Sequence, residues 1–163
     1  MQPFSLSHRS TLLLTIAFII HNVEEAVFIC RYPVENLVSF IKPLSCGQFK
    51  VAVSIITVVV LSFVIIAMQT KNRDLYLFIS SSISAALVLN AVVPHIVIAI
   101  YTLHYTPGLV SAVLLIVPSG LWVIGINNRI YANRKKMLKH IGSGLAIGYL
   151  IFIVTAVLVK IFI

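Results

Sequence analysis

The stretch Thr11-Leu12-Leu13-Leu14-Thr15-Ile16-Ala17-Phe18-Ile19-Ile20-His21-Asn22-Val23-Glu24-Glu25-Ala26-Val27-Phe28-Ile29-Cys30 decides the fold. At about 1.5 Å per residue, an apolar helix of this length crosses a hydrocarbon layer roughly 30 Å thick. Its start resembles a signal peptide. A secretory core region does not carry His21, Glu24 and Glu25, however, and no small-x-small cleavage site follows, so the segment reads as a mature helix. Working outward, further apolar runs at about 48–68, 75–101, 109–126 and 141–159 predict four more spans. Hydrophobic residues make up 60% of 163, about 98, and five crossings need about 100. With only 10% of residues charged, an ordinary soluble fold is excluded. Strand alternation is nowhere sustained, which argues against an outer-membrane barrel. The expected class is all-α: a single polytopic integral membrane domain over residues 1–163, built as a bundle of about five transmembrane helices.

The connectors give the orientation. Arg31, Pro33, Glu35, Lys42, Pro43 and Gly47 mix charge with turn formers and predict a surface loop. In Tyr105-Thr106-Pro107-Gly108 the proline presets its φ and the glycine accepts a positive one, as the centre of a type II turn requires. Pro118, Gly120 and Gly125 predict a bend in the fourth span. With the amino terminus in the cytoplasm, Arg9, Lys71, Arg73, Arg129, Arg134, Lys135, Lys136 and Lys139 lie inside, and Arg31, Lys42, Lys50 and Lys160 lie outside. That bias predicts a multi-pass protein of the cell membrane with its carboxyl terminus outside. A net charge of +8 would suggest nucleic acid in a soluble protein. Here topology and membrane lipids account for the basic stretch Arg129–Lys136, and no nucleic-acid partner is expected. Gly144 and Gly148 have the spacing that lets helix backbones approach, either within the subunit or in a homo-oligomer. Cys30 and Cys46 flank the first outer connector; on an oxidising face they could form a disulfide.

Four acidic residues exist in the chain, and Glu24 and Glu25 stand side by side inside a span. An ionisable acid near a helix centre costs roughly 2.5 to 3.5 kcal/mol on insertion scales, so chance placement explains them poorly. No basic residue lies near the middle of any predicted span. The counter-charge must be a proton, the imidazolium of His21 or a metal cation. At about 100° per residue, Glu25 lies about 40° from His21 on one side and Glu24 about 60° on the other, placing all three on one arc. The order His-x-x-Glu-Glu parallels the reversed zinc-peptidase order His-x-x-Glu-His, with the last ligand changed to a carboxylate. His21 and Glu25 are therefore expected to ligate a divalent metal while Glu24 acts as general base. Zinc is favoured, and iron or manganese would accept the same donors. One helix turn gives too few ligands. Taking the spans as straight rods, Asn90 at about 22 Å matches the depth of Glu24 at about 20 Å better than His95 at about 30 Å. Pro94 predicts a kink at that point, and His95 is expected as third ligand. Asn90, Tyr101 and His104 are expected to orient the ligands or meet substrate.

The run His21-Asn22-Val23-Glu24-Glu25, then Gln48-Phe49 opening the next span, Asn90-Ala91 before His95, and Tyr105-Thr106-Pro107-Gly108 resembles the HXXEE family of small bacterial membrane proteins, named for its His-x-x-Glu-Glu motif. The resemblance extends from about residue 12 to about residue 125. It implies an integral membrane protein in which His21, Glu24 and Glu25 define the family, and it supplies no established reaction.

Three functions compete. The first is an intramembrane metal-dependent enzyme, a hydrolase of a lipid, an isoprenoid or a membrane peptide, with a polar cleft open to the outside. The second is a metal-free isomerase or cyclase of a hydrophobic substrate, with one carboxyl protonated as acid and another group as base. The third is not an enzyme: a transporter or immunity protein that handles protons, ions or lipids. Metal content separates the first from the second. Polar residues continuing to both faces would mark the third.

Overall fold

The computed structural model describes residues 3–32 and 44–163. Five helices are long and apolar enough to cross a membrane. They are α1 (Pro3–Phe28), α2 (Cys46–Gln69), α3 (Arg73–Thr102), α4 (Leu109–Ile130) and α5 (Arg134–Phe162). The chain is an all-helical membrane protein, and no strand occurs among the described residues. Leu12, Leu13, Ile16, Ile20, Ile65, Phe152 and Ile153 are among many large apolar side chains left exposed around the bundle, which is the surface a bilayer covers.

The helices run past their apolar stretches because their ends are capped by polar residues. Ser45 and Gln48 form a capping box, so Gly47, expected in the connector, lies in the first turn of α2. Asn72 and Asn133 cap α3 and α5, and the second half of the basic stretch becomes the opening turns of α5. Of the connector between α1 and α2, Pro33, Glu35, Lys42 and Pro43 lie outside the described residues. The expected proline distortions take the form of widened turns. α3 contains a π-helical segment, Ala91–Val97, around Pro94, and α4 contains another, Ala112–Ile116, just before Pro118. Each absorbs the hydrogen bond that the proline cannot donate.

Gly144 of α5 is buried against Ser82 of α3, leaving no room for a Cβ, and a Cβ at Gly148 would touch Ala86 of the same helix at 3.6 Å. The small-residue seam is thus used inside the chain, where α5 packs on α3. An apolar core of Leu14, Ala17, Phe18, Leu87, Ala91, Ala112, Ile116 and Val123 fills the middle of the bundle. Polar residues are buried on both sides of it. Toward the charged end, Ser7 pairs with the Tyr76 hydroxyl at 2.8 Å and donates to Asn127 at 2.6 Å, and Asn127 donates to Ser80 and Ser81 at 2.9 and 3.0 Å. Toward the other end lie His21, Glu25 and His95.

Candidate metal centre

α1 brings His21 and Glu25 to one face, a helical turn apart, as the i,i+4 spacing dictates. His95 comes from the π segment of α3. Its Nε2 lies 3.2 Å from Glu25 Oε1, and His21 Nε2 lies 3.7 Å from the same oxygen. One ligand atom from each residue falls within 4.8 Å of the others, an arrangement that could hold a metal ion. Nitrogen and oxygen ligands at about 2.0 to 2.1 Å around a tetrahedral zinc stand about 3.3 Å apart, close to the two observed contacts. The straight-rod depth that favoured Asn90 fails because the widened turn re-aims the residues after it. Asn90 is half-buried just before that turn and takes no place in the cluster.

The histidine nitrogens carry the chemical argument. Both Nε2 atoms are buried and have no hydrogen-bond partner. On the other side of the His21 ring, Nδ1 lies 3.0 Å from Ser111 Oγ, whose own proton goes to the Gly108 carbonyl at 3.2 Å. With its proton so placed, the serine oxygen accepts from Nδ1–H in the tautomer that leaves a lone pair on Nε2. That lone pair faces a carboxylate oxygen. Two acceptors opposed in a buried site repel unless a cation or a proton lies between them.

The Tyr105–Gly108 turn roofs the cluster. Leu109 N–H donates to the Thr106 carbonyl at 3.0 Å, and Gly108 adopts φ 85°, so the turn has the expected type II form. A Cβ on Gly108 would stand 2.8 Å from His21 Cε1, 2.9 Å from Glu25 Cγ and 3.0 Å from His95 Cε1. Only a bare backbone fits there. Thr106 fastens the turn to α3 by donating to the His95 carbonyl at 3.2 Å.

Glu24 does not join the cluster. Its Oε1 accepts from the Tyr105 hydroxyl at 2.5 Å and from Val110 N–H at 3.2 Å, and its Oε2 accepts from Ser111 N–H at 2.8 Å. The carboxylate thus caps the start of α4, where unpaired N–H groups and the helix dipole favour a negative charge. Burial, followed by the hydrogen bond to Glu24, pushes the Tyr105 phenol above its ordinary range and keeps it protonated. The expected single arc of three groups divides into two tasks: Glu25 meets the histidines, and Glu24 holds the roof.

Tyr101 and His104 are exposed and stand away from the cluster. Leu103, in a left-handed conformation with φ 56°, ends α3 and turns the chain so that Tyr105 comes inward instead. Cys30 and Cys46 are joined by a disulfide, with their Cα atoms 5.4 Å apart, beside the end of α1 that carries the site. The sequence pattern gives Gly108 its place in the turn but assigns neither Ser111 nor Tyr105 a role at the site. The quoted turn motif contained two of them, whereas nothing local marks Ser111 as the partner of a histidine 90 residues earlier.

Comparison with known proteins agrees with this framework. A family model described as "Protein of unknown function with HXXEE motif" matches residues 12–123, and the chain belongs to that family. It is also 28% identical over 108 residues to the "Uncharacterized protein YrkK" of Bacillus subtilis (strain 168), covering 66% of this chain and 68% of the relative. No solved structure matches significantly.

Proposed function

We propose that this HXXEE-family protein is an intramembrane metal-dependent enzyme, a hydrolase acting on a lipid, an isoprenoid or a membrane peptide. In this reading His21, Glu25 and His95 hold a divalent cation, with zinc favoured by two imidazoles and one carboxylate. The observation that carries it is the pair of buried, unpartnered Nε2 atoms aimed at one carboxylate oxygen under a roof that admits no side chain. Three protein ligands leave a position open for water or substrate, the usual form of a catalytic rather than a structural zinc site. When bound, the cation would offset the carboxylate charge and make water acidic enough to react near neutral pH. The chain's own residues do the rest. Ser111 sets the His21 tautomer, and Glu24, satisfied by three donors, fixes the turn over the site rather than serving as the expected base.

In the proposed orientation the site lies toward the outer face of the cell membrane, with the amino terminus in the cytoplasm and the carboxyl terminus outside. Two features support this: the excess of Lys and Arg at the other end, and the disulfide, which persists on an oxidising side. A carrier of protons or ions would need polar groups through the middle of the bundle, where the described residues form an apolar core. Elemental analysis of the detergent-purified protein beside His21→Ala and Glu25→Ala tests the proposal. Stoichiometric metal in the parent protein, lost in both folded variants, is expected. Equal trace metal in all three would remove the metalloenzyme reading and return acid-base chemistry to the front.

A further inference from the structure

Next to the metal ligands, on the outer side of α1, a groove is lined by Glu24, Phe28, Tyr32, Tyr105 and Val110. Three of those residues are aromatic, and their rings meet at steep angles. Tyr32 and Tyr105 have centroids 5.1 Å apart at 74°, Phe28 and Tyr105 5.9 Å at 82°, and Phe28 and Tyr32 6.3 Å at 49°. Such pairs are ordinary in a packed core, where they bury one another. Here they wall an open groove, and Tyr32 is half exposed. Their centroids form a compact triangle, so a cation seated over the face of any one ring in the groove has the other two close by. A carboxylate completes the lining. A cation–ring contact occurs at the bundle's other end, where Arg73 lies 6.0 Å from the Phe4 ring centroid.

We propose that the groove binds the ammonium head group of a membrane lipid, an ethanolamine or choline type, with Phe28, Tyr32 and Tyr105 supplying π faces and Glu24 the opposite charge. A neutral or anionic head group has no complement there. A lipid rather than a soluble amine fits because apolar side chains continue from the groove along the surface of the bundle: Val23 and Val27 on α1, Val110, Val113 and Leu114 on α4, all exposed. Acyl chains would lie along them while the head group sits at the interface, where aromatic residues are favoured. Glu24 adjoins Glu25, and Tyr105 belongs to the turn that roofs the metal ligands, so a lipid held here presents its polar region to that site. As an assignment of substrate the inference rests on the function proposed above; as a binding site it is tested separately.

The test uses the full chain in nanodiscs of phosphatidylglycerol. Binding of dihexanoyl phosphocholine, phosphoethanolamine and phosphoglycerol, each below its micelle concentration, is followed by saturation-transfer NMR, with metal content measured on the same samples. Saturable binding of the two ammonium lipids, and none of the phosphoglycerol lipid, is expected. Tyr32→Leu and Phe28→Leu should each weaken it by roughly five- to thirtyfold, and Tyr32→Phe should restore it, because a ring face and not a hydroxyl is required. His95→Ala should lose metal and keep lipid binding, which separates failure of the metal reading from failure of this one. Equal binding of the phosphoglycerol lipid, or unchanged affinity in both leucine variants, overturns the proposal. Equally tight binding of glycerophosphocholine, which has the head group without chains, overturns the assignment to a lipid.

Discussion

The two buried polar clusters of this bundle are built from similar materials and treat their hydrogen bonds in opposite ways. At the charged end, Ser7, Tyr76, Asn127, Ser80 and Ser81 satisfy one another across three helices, with Thr11 adding a contact to Tyr76 at 3.0 Å. At the other end, two histidine nitrogens are buried without partners, in front of a carboxylate. A satisfied network in a low-dielectric interior locks helices together. An unsatisfied one costs stability and persists where something else completes it. The first cluster is architecture, and the second is the place to look for chemistry.

That contrast can be broken by experiment. The largest effect on stability is expected from Asn127→Leu, which leaves the hydroxyls of Ser7, Ser80 and Ser81 short of a partner and should cost about 3 kcal/mol. Denaturation in detergent measures it, and stoichiometric metal should remain; a variant as stable as the parent would make the network dispensable. Gly108→Ala should weaken metal binding at least a hundredfold, about 2.7 kcal/mol, because its Cβ meets all three ligand residues and its φ is strained. Competition with a chelator reads that loss. Ser111→Ala removes the group that orients His21 and should reduce metal affinity by about tenfold, with about 1 kcal/mol of stability lost because the His21 Nδ1 loses its partner. The smallest effect is the most discriminating: in excess chelator, His95→Leu should stay within about 1 kcal/mol of the parent or exceed it, since it removes a buried nitrogen that has no hydrogen-bond partner. A loss of several kcal/mol there would make the histidine cluster as structural as its counterpart.

The sequence foretold these regions unequally. Five apolar runs are visible because a bilayer demands length and composition, both of which are local. His21 and Glu25 are legible because helical spacing fixes their shared face. His95 could be suspected only through Pro94, and its position depends on a π turn whose extent no residue pattern specifies. Glu24 sits next to Glu25 but serves α4, since the start of that helix offers it N–H donors that lie 86 and 87 residues away in sequence. Tyr101 and His104 were misplaced because Leu103, a residue that seldom takes positive φ, reverses the chain between them.

The core of Leu14, Phe18, Leu87, Ile116 and their neighbours separates the histidine cluster from the charged end of the bundle. Under the proposed hydrolysis, a site closed toward that end is a cul-de-sac: whatever is cleaved there must leave by the mouth through which it entered. Turnover would then slow as spent fragments crowd the entrance, and both halves of the cut molecule would be recovered in the leaflet that supplied it.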